Sequence, residues 1–383
     1  MLCIDNALLF DGELFRKNKK IYILDNKIID ISNKNKKNVT KNIDAAGNIV
    51  CPGFIDIQVN GGGGVFLNEN HSLVDIKKVS LTHAQFGTTS LLPTFITDHK
   101  NKISKFIAAI NHAMAEKVPG IIGIHFEGPF INQEKKGIHS AVYIRSPEKS
   151  DFDEFAKMKQ GVKLVTLAPE LIAADNMAKF KQNNFIIFAG HSQASFAQMN
   201  QGFKQGIQGI THLFNACSQL GSREPGIIGA FLLNDTSWAG IIADGYHVSF
   251  ATIKIALKVK DSSKFILVSD AMSPVGTNEK SFKIYDQEIF VEADKYQDAS
   301  GTLAGSALTV HKGFQNILKH KLVSLEESLK MTSTNVAKCL GIDQENTFYA
   351  KGRILPQYDA DVVILDKNNF NILKVIQQGK LIK

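Results

Sequence analysis

Eight apolar runs, each closing on a small or polar residue, recur through the middle of the chain: 53–60, 88–95, 120–128, 163–170, 185–192, 209–215, 239–247 and 265–272. A strand that is apolar at almost every position is buried on both faces, which is the mark of a parallel sheet covered by helices. Most of the intervals carry a helical pattern, as in SLVDIKKVSLTHAQFG and KISKFIAAINHAMAEK. Eight strand–helix units over about 220 residues predict a (β/α)₈ barrel spanning 51–345. The rhythm breaks at 277–302, which reads as a hairpin inserted after the eighth strand.

The two ends of the chain read differently. CIDNALLF, KIYILDN and KIIDISN at the start, and ADVVILDKNNF with NILKVIQQGKLIK at the finish, are short β-rich segments with turn signals such as Asp11-Gly12. They predict one small β-sandwich domain built from residues 1–50 and 346–383.

Composition narrows the function classes. With 44% hydrophobic and 21% charged residues the chain can bury a large core and is not dominantly disordered. It has no uncharged apolar run of the roughly 18–20 residues that a membrane span requires. The first residues lack the basic stretch and apolar core of a signal peptide. Cys3, Cys51, Cys217 and Cys339 are far apart and form no CxxC pair, so a reducing cytoplasm is expected rather than a disulfide framework. The net charge of +7 comes with no recognition motif for nucleic acid, and reads as lysine decoration that would also attract a phosphorylated metabolite.

In a barrel of this kind chemistry sits where strands end. Those positions carry Gln58, Asn60, Glu127, His191, His212, His247 and Asp270. Glu127, His191 and His212 close three different strands, and two imidazoles with one carboxylate make a usual catalytic zinc set with one position left for water. Asp270 is a carboxylate placed to take a proton from that water and pass it on. His125 shares a strand and a face with Glu127 and is expected to support it from behind.

Several blocks in order resemble the N-acetylglucosamine-6-phosphate deacetylases of the amidohydrolase superfamily: PGFIDIQVNGGGG, HFEGPFINQEKKGIHS, LAPE, GHSQAS, THLFNACSQLGSREPGIIGA, IIADGYHV, LVSDAMSPVG and GTLAGSALTV. The resemblance implies one divalent metal per subunit, zinc first, with iron, cobalt and manganese as alternatives, on Glu127, His191 and His212. It implies Asp270 as general base and then acid while metal-activated water attacks the amide, and His139 as the group that polarises the carbonyl. It further implies sugar-phosphate contacts from Asn215, the backbone at Ala216, Arg223 and His247, with Leu303 near the acetyl methyl. A homodimer and a small amino-sugar phosphate substrate follow from the same likeness, with no nucleic acid and no membrane. The wider superfamily carries His-x-His on the first strand; here Gln58-Val59-Asn60 stands there, which argues against a second tightly held ion and leaves the two amides near the metal water. Gly61–Gly64 is expected to let backbone approach the substrate. The preference between the 6-phosphates of N-acetylglucosamine and N-acetylgalactosamine stays open, as no residue announces which hydroxyl it meets. Dihydroorotase-like chemistry fits less well, because the fourth run ends LAPE without a bridging lysine.

Overall fold

The computed structural model describes residues 1–292, 294–345 and 349–383. Eight parallel strands form the barrel: Phe54–Val59, Thr88–Ile96, Gly123–Glu127, Val162–Leu167, Phe185–Ala189, Gly209–Ile210, Trp238–Ile241 and Phe265–Leu267, hydrogen-bonded in chain order. A parallel bridge between Val59 and Ala271 closes the ring. A helix follows each strand, as the alternation predicts.

The helices form for local reasons. Leu73–Gln85 starts at a capping box in which Ser72 and Asp75 satisfy each other's backbone N–H groups. Its buried residues Ile76, Val79, Ser80, His83 and Ala84 recur at helical spacing and face the barrel. One core cluster lies between the strands and these helices, with Phe106, Ile110, Phe126, Phe155, Phe180 and Phe231 at its heart. A second, with Ile55, Ile57, Leu92, Leu164, Phe188 and Ile266, fills the barrel itself. Val336 and Leu340 of the helix Thr334–Leu340 belong to that cluster and stopper the end away from the strand termini.

The terminal strands join one eight-stranded sheet. Ile49–Pro52 pairs in parallel with Leu2–Phe10 and antiparallel with Val362–Leu365, so the first and last parts of the chain are hydrogen-bonded to each other. Ile4, Ile21, Ile43, Val50, Ile364 and Ile376 share its core. We propose 1–50 with 346–383, and 51–345, as the limits of the two units; residues 346–348, at the second limit, lie outside the described residues.

Several strand expectations were too long; the run 239–247, for one, leaves the sheet after Ile241. The run 209–215 leaves the sheet after Ile210, and 265–272 after Leu267. Beyond those points His212, Phe214, Ala216 and Asp270 adopt positive φ, a turn of the backbone that hydrophobicity does not signal. The insertion is a three-stranded antiparallel sheet, Ser281–Ile284, Gln287–Glu292 and Lys295–Gln297, where a hairpin was expected; Ala293, inside it, lies outside the described residues.

Candidate active site

A cavity of about 190 Å³ opens at the strand ends, lined by Asn60, Glu127, His139, His191, His212, Asn215, Ala216, His247, Asp270 and Leu303 among others. Nine of these ten were predicted from the sequence as site residues lining one place, and Asn60 was predicted close by. Gln58 lies just beneath: its side-chain N–H₂ donates to both oxygens of Glu127 at 3.0 and 3.1 Å and to Asp270 Oδ1 at 3.1 Å. Asn60 Nδ2 donates to the same Asp270 oxygen at 2.6 Å. The Gln58 amide therefore sits between the two carboxylates, where its N–H dipoles offset like-charge repulsion, and the Asn60 amide adds a second donor to Asp270.

Backbone geometry at the site is unusual. His191, His212, Ala216 and Asp270 have φ of 48°, 33°, 46° and 54°. Non-glycine residues in this region cost about 1–3 kcal/mol each and persist where the surroundings over-determine them. The loop bearing His191 shows how. Asn132 N–H donates to the His191 carbonyl at 2.8 Å, and Glu170 of the LAPE motif accepts from Asn132 Nδ2, Ser192 Oγ and Gln193 N–H at 2.9, 2.5 and 2.7 Å. Glu170 was read from the sequence only as the end of a strand. Its role as anchor of a neighbouring loop depends on contacts across 22 residues.

Glu127 Oε1 lies 2.9 Å from His212 Nε2 and 3.2 Å from His191 Nε2, and the two nitrogens are 3.1 Å apart. Burial opposes a charge on Glu127, yet its bonds to His191 and His212 hold its carboxyl well below the usual range. His191 Nδ1 is 2.7 Å from the Lys135 carbonyl, which can only accept. Nδ1 thus carries a proton, and Nε2 faces the other two atoms, where it would offer a lone pair to a cation. Three potential ligand atoms so close together fit a shared cation: ligand atoms about 2.0–2.1 Å from a tetrahedral zinc stand about 3.3 Å from each other.

His139 joins the same cluster more loosely; its ligand atom and those of Glu127 and His191 lie within 4.8 Å of one another. Its tautomer is the reverse of that of His191. Thr97 N–H, which can only donate, points at His139 Nδ1 from 3.4 Å, and Thr97 Oγ1 is 2.8 Å from the same atom. Nδ1 is the acceptor, so Nε2–H is left as a donor toward the cleft. Burial, then the neighbouring His191, hold His139 well below its ordinary pKa, which keeps it neutral. The atoms of the set with His212 stand closer together than those of the set with His139, and either set could hold a cation.

Other predicted residues find clear places. His247 is fixed by Asp244, whose carboxylate accepts from His247 Nδ1 at 2.6 Å and from two backbone N–H groups at 2.8 Å each. Asp244 was not singled out; a carboxylate three residues before a strand-end histidine was the available signal. His125 lies below Glu127 but binds Thr166 Oγ1 at 2.8 Å, and Thr94 Oγ1 at 3.3 Å. It belongs to a neutral polar layer inside the barrel, with burial pushing its pKa down to about 4. Arg223 is exposed on the loop before the helix Gly226–Leu233 and does not line this cleft.

Gly61–Gly64 is a correction. Gly63 and Gly64 N–H donate to the carbonyls of Val275 and Ser273, both at 2.7 Å. A Cβ on Gly61 would come within 2.2 Å of the Val65 carbonyl oxygen, and one on Gly62 within 2.8 Å of His83 Nε2. The glycines permit close approach, but to the 272–276 segment and His83, and none of them lines the cleft.

The amidohydrolase family model matches residues 49–382. The chain is 34% identical over 337 residues to the N-acetylgalactosamine-6-phosphate deacetylase of a Shewanella strain, covering 88% of this chain and 84% of that one. It is 31% identical over 345 residues to the N-acetylglucosamine-6-phosphate deacetylase of Haemophilus influenzae, covering 89% and 88%. The crystal structure of N-acetylglucosamine-6-phosphate deacetylase from Pasteurella multocida superposes with a TM-score of 0.93 at 31% identity, over 99% of both chains. Barrel, strand-end cluster and these similarities agree: the chain belongs to the amidohydrolase family.

Proposed function

We propose that the cleft hydrolyses the acetamido group of N-acetyl-D-glucosamine 6-phosphate, giving D-glucosamine 6-phosphate and acetate. The observation that carries this reading is the opposed hydrogen bonding of two neighbouring histidines, His191 Nδ1 facing a carbonyl and His139 Nδ1 facing an N–H. Metal-assisted hydrolysis of an amide uses both a cation site and a carbonyl donor, and residues suited to each lie side by side in the cleft. Glu127, His191 and His212 would hold a divalent ion, zinc being our assignment. Such an ion, when bound, acts as a Lewis acid that lowers the pKa of water to about 7 and polarises the carbonyl.

The chain's own groups do the rest. His139 donates to the amide oxygen as negative charge grows there, and a donor of this kind is worth about 3–4 kcal/mol. Asp270 lines the same cleft; burial first, then the charge of Glu127, raise its proton affinity. It takes the proton of the attacking water and returns it to the departing nitrogen. Gln58 and Asn60 hold Asp270 in place. Leu303 lines the cleft and we assign it to the acetyl methyl, and Asn215, Ala216 and His247 line the part we assign to the sugar phosphate.

No lysine or arginine is among the residues lining the cleft. A phosphate dianion calls for one, and an exposed Arg223 offers a guanidinium fork to a neighbouring molecule. A homodimer in which Arg223 serves the partner's cleft satisfies both facts. Among the described residues no helix is long and apolar enough to cross a membrane, and the four cysteines are free and buried, which suits a cytoplasmic enzyme.

The test is acetate release from N-acetylglucosamine 6-phosphate with and without a chelator; no release from the metal-loaded protein ends this reading. N-acetylgalactosamine 6-phosphate is the second candidate, because relatives named for each sugar match at similar identity. Paired kcat/KM values on the two sugars decide between them.

A further inference from the structure

The barrel closes where its chemistry sits. Between the first strand, Phe54–Val59, and the eighth, Phe265–Leu267, no regular ladder runs; the single bridge joins Val59 to Ala271. Asp270 N–H reaches the Gln58 carbonyl at 3.0 Å, and Asn60 and Gly61 N–H reach the Ala271 carbonyl at 2.9 and 3.0 Å. Ser269, one residue before Asp270, finds no ladder partner for its N–H. A side chain takes that place: Asp56 Oδ1 accepts from Ser269 N–H at 3.3 Å and from Gln58 N–H at 3.2 Å. The Ser269 hydroxyl donates to the Gln58 carbonyl at 3.3 Å and accepts from Ala271 N–H at 3.1 Å.

Asp56 is completely buried and is not among the residues lining the cleft. Its second oxygen, Oδ2, has no hydrogen-bond partner among the described residues. A carboxylate kept in such a place at the cost of an unsatisfied oxygen is doing something that a leucine could not. We propose that Asp56 is a positioning residue for the hydrolysis: by clamping the backbone of Gln58 and Ser269 together across the seam, it holds Asp270 in its left-handed conformation and within reach of the Gln58 amide. The chain of contacts is short. One carboxylate oxygen fixes the residue before the proton carrier and the residue whose amide binds that carrier.

This inference rests on the proposed hydrolysis, and the two fail separately: acetate release by the unaltered protein tests the reaction, and the ratio of variant to unaltered kcat tests Asp56. Asp56→Ala removes the acceptor and should lower kcat by at least about tenfold, since misplacement of a reacting group by about 1 Å costs up to about a hundredfold. KM should stay within about twofold and bound metal per chain should not change. Asp56→Asn keeps a carbonyl oxygen for both N–H groups and should recover kcat to within about threefold. Phe180→Leu, which trims a phenylalanine cluster outside the barrel, should lose stability without losing kcat. Unaltered kcat in Asp56→Ala, an equal loss in Phe180→Leu, loss of metal together with activity, or no recovery in Asp56→Asn each overturns the proposal. Should Asp56→Ala not fold, Ser269→Ala removes two bonds of the same seam: a severalfold fall in kcat at constant KM supports it, and a normal kcat overturns it.

Discussion

In the terminal sheet, Lys351 lies buried against Asp361 and 3.1 Å from Asp359, and Lys27 completes the group at 2.6 Å from Asp359. In the cleft, Glu127 is as deeply buried, but its neighbours are two imidazoles and the amide of Gln58. Both clusters would be costly in an apolar interior without compensation. The sheet supplies its own cations and closes on itself. The cleft gathers carboxylates and lone pairs and brings no fixed cation among its lining residues. A charge cluster complete within the chain holds structure; one that lacks a charge is shaped for something that arrives.

That contrast can be broken in several ways. Chelation should abolish acetate release and a divalent ion restore it, while the sheet cluster needs no ion; full activity in chelator would make the cleft as self-sufficient as the sheet. Next in size, Asp270→Asn should cut kcat by about 10²–10⁴ with folding and metal content intact. Near-normal turnover would remove Asp270 from the reaction. Lys351→Met should do the converse, costing about 3–5 kcal/mol in denaturant unfolding because buried carboxylates are left unpaired, with kcat and KM unchanged. Altered kinetics in that variant would show that the two regions are coupled. Arg223→Ala should raise KM for the phosphorylated sugar by about tenfold, the worth of a charged hydrogen bond, and hardly touch kcat.

The smallest effects lie in pH. Burial works against the Lys351 charge, but Asp361 and Asp359 outweigh it and raise its pKa above the ordinary value. Its contribution to stability is then present below about pH 10.4, the unfolded value, and is lost as pH rises toward the higher folded one. Asp56 works in the same direction, but in a lower pH window. Burial pushes it up to about 7, so the folded state binds the proton more tightly and stability falls as pH climbs from about 4 to about 7. Unfolding curves across that range should be flatter for Asp56→Asn; equal slopes would mean that the orphaned oxygen is solvated.

Much of the site was legible because the barrel is a repetitive frame. Once the apolar runs are counted, Glu127, His191, His212, His247 and Asp270 fall at strand ends, and strand ends converge. Convergence brought Gln58, Asn60 and His139 as well. Glu170, Asp244 and Asp56 escaped notice for a common reason: each acts at least in part through hydrogen bonds from backbone N–H groups, and any N–H looks alike in a sequence. The glycine turn misled because glycine announces close approach without naming the partner.

The sequence by itself determined the number of strands, the pairing of its two ends in a sheet and the kinds of atom gathered at one face, because hydrophobic period and side-chain chemistry are written residue by residue. Which histidine holds its proton on which nitrogen, which carboxylate goes without a cation, and where the barrel is sewn shut were decided only in three dimensions. Those properties belong to partners far apart in sequence, 22 residues from Glu170 to Ser192 and 213 from Asp56 to Ser269, and they come into being when the chain closes.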